Sequence, residues 1–296
     1  MGKTENKTFG YTGRIAGQGI TLYRRRGKVY ARISTRAVTN RQSMGQFKAR
    51  AKMRHSIALW NSFLTPYKPQ MAVRDGMIAY NAFLRANSAL PTVYLVKQQA
   101  VQGAALLMPG MVVSEGRLPA VEYNFAVLEG GERVVLTNLL TGFGAETTQE
   151  LAIGCNDDLR QLLCTNHRNP QLVDGDTVRC YRLRQLMEGG CPKVKVECCE
   201  VRLDNDLRAN PSLPGWQFIT LGGQLAIGGA DDEEAGWAVA IHNAEERDAS
   251  MQQVLTTCQL YRDYTTDEAL AAAAESYGNV EPPERLTPNA YRRQGG

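Results

Sequence analysis

The chain has 296 residues, with 34 Lys and Arg against 30 Asp and Glu, a formal net charge of +4. The charge is segregated: residues 1–54 carry 14 Lys/Arg against one acid, Glu5, a net +13, and residues 55–296 carry 20 bases against 29 acids, a net −9. At 43% hydrophobic and 22% charged residues, the composition excludes a disordered or collagen-like chain, and the length allows one or two domains that need no staple.

No apolar run approaches the ~18 residues of a membrane span. The opening stretch Met1-Gly2-Lys3-Thr4-Glu5-Asn6-Lys7 lacks the apolar segment of a signal peptide, so neither a membrane partner nor export through a cleaved signal is expected.

The first elements fall in the basic region. Gly19–Tyr23 and Val29–Ile33 are β-rich runs separated by Arg24-Arg25-Arg26-Gly27-Lys28, which predicts a hairpin with a cationic tip. From Ser43 to about Leu64 the period changes to about 3.6. Met44, Phe47, Ala51, Met53, Ile57, Leu59, Trp60 and Phe63 supply an apolar face, and Lys48, Arg50, Lys52 and Arg54 crowd the others. Ser43 and Gln46 suit a capping box, and Pro66 and Pro69 end the helix. A second helix is predicted over 76–87, with Met77, Ile78, Tyr80, Phe83 and Leu84 inward.

After Pro91 short strands dominate: 92–96, 105–107, 111–113, 121–128, 133–138, 177–186, 193–203, 217–220, 236–242 and 251–261. Leu128-Glu129-Gly130-Gly131-Glu132, Asp174-Gly175-Asp176 and Glu188-Gly189-Gly190 mark turns between them. A helix over 156–164 is expected to interrupt, and Thr266 caps a final Ala-rich helix over 267–277 that stops at Gly278. The predicted class is α+β: a basic arm and β-hairpin (1–40), a helical hairpin (41–90), an antiparallel β-rich body, sandwich or barrel, ending in a short helix (91–278), and an extended tail (279–296).

The motifs for chemistry are thin. Gly2-Lys3-Thr4 lacks the strand and glycines of a phosphate loop, and Gly13, Gly17 and Gly19 have no βαβ context. His55, His167 and His242 stand apart and read as surface or cap residues. Asp157-Asp158 suits a helix start, and Asp231–Glu234 a solvated turn. The seven cysteines are Cys155, Cys164, Cys180, Cys191, Cys198, Cys199 and Cys258. Their odd number and lack of C-x₂-C pairs predict reduced, buried thiols rather than a zinc site. Cys198 and Cys199, adjacent in a strand, are expected on opposite faces. No metal, cofactor or catalytic constellation is expected.

The candidate site is the arm: Arg24, Arg25, Arg26, Lys28 and Arg32 of the hairpin, with Lys48, Arg50, Lys52 and Arg54 of the basic helix. Cations interleaved with Phe9, Tyr11, Tyr23, Tyr30 and Phe47 could follow a phosphate backbone, dock on the acidic portion of another copy, or merely be solvated. A ligand-binding module or enzyme at the Gly-rich stretch 221–230 is a further alternative.

The order Gly13-x-x-x-Gly17, Tyr23-Arg24-x-x-Gly27-Lys28-x-x-x-Arg32 and Gln42-x-x-x-Gln46-x-x-x-Arg50-x-Lys52, then Trp60–Phe63, resembles the N-terminus of an uncharacterised protein group from Bacteroidota and their mobile elements. Val93–Lys97, Ser114–Pro119 and Ala269–Gly278 are similar to that group as well. The resemblance implies no activity. It implies a virion or assembly role. Together with the charge split and a tail that has no core of its own, the expectation is a non-enzymatic structural protein that assembles through its basic arm and tail, a phage-particle component of ring or head-tail connector type, made in the cytoplasm and incorporated in a virion, with other copies, neighbouring assembly proteins or DNA as partners.

Overall fold

The computed structural model describes residues 13–15, 20–25, 28–33, 43–65, 67–71, 77–150, 163, 168–173, 175–203, 216–228, 235–243, 248–258 and 260–278. The expected helix over 156–164, apart from Leu163, and the tail over 279–296 lie outside them. The chain divides into two compact units, Met1–Ser43 and Met44–Gly296.

In the first unit β1 (Gly13–Ile15), β2 (Ile20–Arg25) and β3 (Lys28–Ile33) form an antiparallel sheet in that order. The β2–β3 ladder continues to the pair Arg25 and Lys28, so the connection is confined to positions 26 and 27.

The second unit opens with α1 (Met44–Ser62). Its buried stripe repeats at every fourth residue, Phe47, Ala51, His55 and Leu59, and continues into Phe63. That repeat admits His55 and turns Met53 out to 45% exposure, contrary to the expectation for both residues. The short β4 (Gln70–Met71) leads to α2 (Ala79–Ala86), which is shorter than expected. Phe83 is buried and Ile78 is exposed. A 3-10 turn over Asn87–Ala89 follows. The buried Asn87 amide donates to the carbonyls of Phe83 and Val112 and accepts from the Val112 N–H at 2.8 Å, pinning the turn to the next strand.

After α3 (Lys97–Val101), strands β5 (Val112–Glu115), β6 (Tyr123–Val127), β7 (Arg133–Leu140) and β8 (Thr148–Glu150) follow. Then come β9 (Thr177–Glu188), β10 (Cys191–Arg202), β11 (Phe218–Leu221), β12 (Gln224–Ile227) and β13 (Ala235–Asn243). The last are β14 (Asp248–Ala249), β15 (Gln252–Gln253) and β16 (Leu255–Thr256), before α4 (Asp267–Ser276). The class is α+β with a β-rich body. Nearly every described pairing is antiparallel; β4 beside β5 is parallel.

Two of the sheets form the body's centre. One has the order β10-β9-β13-β14, with β16 also on β13; the other runs β6-β7-β12-β11-β8. They face each other through Val178, Cys180, Cys199, Trp237, Val239 and Ile241 on one side and Val135, Leu139, Phe218, Leu225 and Ile227 on the other. The opposite face of the first sheet, carrying Tyr181, Leu183, Val196, Cys198 and Ala238, shares a core with Leu59, Phe63, Phe83 and the run Ala104–Met108. The helices thus belong to the same core as the sheet, in a three-layer arrangement.

The longest hairpin, β9–β10, turns on Gly189 and Gly190, both at positive φ (59° and 73°). A two-residue loop of this kind requires that geometry, which glycine adopts without steric cost.

The strands expected over 92–96 and 105–107 are extended chain outside the ladders. Ala104–Met108 is at most 1% exposed, and side chains satisfy much of its backbone. Leu106 N–H donates to His55 Nε2 at 3.0 Å, Leu107 N–H to Gln185 Oε1 at 2.7 Å, and Gln185 Nε2 to the Ala105 carbonyl at 3.2 Å. The strand expected over 251–261 is broken as well. β15 pairs with β5 and β16 with β13, so the chain changes sheets across the buried Val254.

The segment after β5 is clamped to β14. Burial opposes charge on Asp248, but the N–H groups of Arg117 and Ala249 and the Arg117 guanidinium hold its carboxyl below the usual range. Gly116 allows this approach: a Cβ there would lie 2.0 Å from the Ala249 carbonyl oxygen and 2.4 Å from Asp248 Oδ1. Gly116→Ala is expected to lower the unfolding free energy by about 3 kcal/mol, the upper range for overpacking, as measured by urea denaturation.

Candidate functional site

Strand register sorts the basic hairpin into two faces. Arg25 pairs with Lys28, Tyr23 with Tyr30 and Thr21 with Arg32 across β2 and β3, and Arg14 of β1 pairs with Thr21. Because faces alternate with every residue, these positions share one side of the sheet. The other side takes the row Ile15, Ile20 and Ile33, the pair Leu22 and Ala31, and the pair Arg24 and Val29. Lys28 is exposed and Tyr30 is 43% exposed.

The sheet therefore brings Arg25, Lys28 and Arg32 together and places Arg24 on the opposite side. Arg26 lies outside the described residues. Arg14, which composition alone did not single out, joins the cationic face; only the β1–β2 register reveals it.

The basic helix belongs to the second unit. Lys48 is exposed and Arg50 half-buried. Two of its cations tie α1 to neighbouring elements: Lys52 Nζ donates to the Ser88 carbonyl at 2.8 Å, and the Arg54 guanidinium sits 4.5 Å from the Tyr277 ring centre, beyond α4. Packing against these elements accounts for both residues without a ligand.

The body holds a second concentration of polar groups, at the first sheet. Arg179 and Glu200 are direct cross-strand partners, and so are Arg182 and Glu197. Arg179 donates from Nε and Nη2 to Glu200 Oε2 at 2.9 and 2.6 Å, and from Nη1 to the Tyr181 hydroxyl and the Lys68 carbonyl. Burial holds the Tyr181 phenol well above its ordinary range, so it serves as a neutral acceptor. His242, half-buried on the same face, is lowered by burial and then by the Arg179 charge. Arg182 reaches Glu197 at 3.8 Å and lies 5.4 Å from the Trp237 ring centre. The sequence signal for both ion pairs was the Gly189–Gly190 turn, which dictates that 179 faces 200 and 182 faces 197.

Cys198 packs in the helix-side core and Cys199 between the sheets, on opposite faces. Cys180, Cys191, Cys198, Cys199 and Cys258 are buried free thiols, and Cys155 and Cys164 lie outside the described residues. Burial pushes the Cys199 thiol up to about 11 and Cys180 and Cys198 upward as well, which suppresses the reactive thiolate. His167, Asp157-Asp158 and Asp231–Glu234 are outside the described residues. Gly222 and Gly223, in the Gly-rich stretch 221–230, form the turn between β11 and β12. Among the described residues no group of three or more His, Cys, Asp and Glu could hold a metal, and no helix is long and apolar enough to cross a membrane.

His55 is 2% exposed rather than a surface residue. His55 Nε2 lies 3.0 Å from the Leu106 amide nitrogen and 3.1 Å from the Leu106 carbonyl oxygen, so its tautomer sets whether it accepts from the one or donates to the other, and burial keeps the ring neutral. Burial lowers its pKa from 6.5 to about 4, with the Leu106 backbone opposing. The unfolded chain thus binds the proton first as pH falls, and His55 contributes stability that is complete above about pH 6.5 and lost on the way down to about pH 4. Between these limits the wild type is expected to lose about 3 kcal/mol more than His55→Gln, as read from urea denaturation across that range. Peptide-resolved alkylation of the native protein is expected to spare Cys180, Cys198 and Cys199, which react once the chain is unfolded. No family model, curated protein or solved structure matches the chain, so its function rests on its own geometry.

Proposed function

We propose that the chain is a non-enzymatic structural protein that assembles through its basic N-terminal arm and its C-terminal tail, as a component of a phage-type particle of the ring or connector kind. Its partners in this reading are other copies of itself or neighbouring assembly proteins, and its destination is the virion. The particle setting rests on the sequence resemblance.

The observation that carries the assembly reading is the character of the N-terminal unit. Met1–Ser43 holds ten Lys/Arg against Glu5, a net +9, while Met44–Gly296 holds 24 bases against 29 acids, a net −5. A unit of this size lies at the limit where a chain segment buries enough surface to be stable by itself. Its sheet also has an apolar side made of three isoleucine positions in one row. Such a sheet gains stability from a surface that covers it, and the opposite charges of the two units make a second copy a fitting one.

Native mass spectrometry or light scattering across a wide concentration range tests the reading. The full chain is expected to form oligomers that weaken as salt is raised, and a chain lacking residues 1–40 is expected to remain monomeric. A full chain that stays monomeric throughout, with the deletion changing nothing, would overturn it.

A further inference from the structure

We propose that the Tyr23–Tyr30 face of the N-terminal sheet binds single-stranded nucleic acid, with the two tyrosines stacking on bases and the flanking cations on phosphates. This shares the N-terminal unit with the assembly reading but does not depend on oligomer formation.

The argument starts from charge. The fifteen strand positions of β1, β2 and β3 hold five cations and no acid. Arg25 and Lys28 are direct cross-strand partners, an arrangement that is destabilising for like charges until an anion lies between them. Arg32 and Arg14, both aligned with Thr21, form the second cationic locus. The two loci are four residues apart along the strands, about 13 Å.

Midway between them Tyr23 and Tyr30 are paired: position 30 has Lys28 and Arg32 about 6–7 Å to either side along its strand, and position 23 has Arg25 on one side and Thr21 on the other. An acidic protein surface needs only the cations, and the tyrosine pair would serve it as general contact area. An unpaired nucleic-acid strand uses both: base faces for aromatic stacking and phosphates for the cations. A duplex keeps its base faces inside the stack, which leaves the tyrosines idle. Lys28 is exposed and Tyr30 is 43% exposed.

The test is fluorescence anisotropy of the full chain with labelled oligothymidylate and, separately, with a duplex of equal length. Single-strand binding at low salt is expected, tighter than to duplex, with a slope of log K against log salt near −3, since four cations each contribute about −0.7. Tyr23→Ala combined with Tyr30→Ala is expected to weaken binding by about tenfold or more with the slope kept, whereas the double Phe variant binds as the wild type does. Arg25→Ser is expected to weaken binding more than Arg24→Ser, which lies on the other side of the sheet. Absent binding at low salt, or equal affinity for duplex with the Ala variants unaffected, would overturn the proposal. Light scattering on the same variants separates the two readings: oligomers that persist while oligothymidylate binding is absent remove this proposal and leave assembly standing.

Discussion

Two buried arginines on one strand constrain the rest of the body. Strand β9 is covered on both faces, so Arg179 and Arg182, 8% and 7% exposed, point into opposite cores. A buried cation without a partner costs about 3–5 kcal/mol, so each needs a carboxylate within reach. Glu200 and Glu197 occupy the directly opposed positions on β10. One register meets both demands, and the Gly189–Gly190 turn enforces it. A slip by one residue would exchange the two faces, moving Tyr181 and Leu183 out of the helix-side core and Val178 and Cys180 out of the intersheet core.

The helical layer depends on that register through a different kind of contact. Gln185, on the same face as Arg179, holds the backbone of the buried run 104–108 from the sheet side, and His55 holds it from the helix side. The run forms no ladder, only a single bond from Ala105 N–H to the Pro192 carbonyl of β10, so these two side chains meet the amides of Leu106 and Leu107 that a ladder would otherwise satisfy. A neutral imidazole is what the site requires, because burial disfavours the charged ring. Packing and protonation are thereby linked: a buried histidine that looks available for catalysis is committed to joining α1 to the chain beneath it.

The N-terminal unit is organised by the opposite balance of forces. The body stabilises its few buried charges internally, whereas the three-stranded sheet gathers cations without acids in its strands and sets them beside tyrosines. Among its described strand positions there is no acid to compensate the cations. In the readings proposed above, a protein surface covers the apolar side and a nucleic-acid strand the cationic-aromatic side.

Local patterns in the sequence were sufficient for features that local physics controls. The hairpin around residues 24–28, the turns at Gly131, Gly175 and Gly189–Gly190, the Thr266 cap at 3.2 Å from the Ala269 amide nitrogen and the opposite placement of Cys198 and Cys199 all follow from neighbouring residues and a period of two or 3.6. Charge counting likewise exposed the contrast between arm and body. Tertiary structure alone decided which apolar runs pair. The runs 92–96 and 105–107 have strand composition, but their amides meet single backbone carbonyls, those of Tyr264 and Pro192, and the side chains of Gln99, His55 and Gln185 rather than a ladder, and a one-dimensional pattern carries no record of that. His55 shows the same limit, since a polar residue on an apolar stripe is interpretable only once the Leu106 amide is seen opposite it. The cationic face was half legible: the sequence by itself determined that the hairpin is basic, while the register of β1, β2 and β3 decided that Arg14 joins it, Arg24 leaves it and two tyrosines sit at its centre, because side-chain facing depends on which backbone each residue is bonded to.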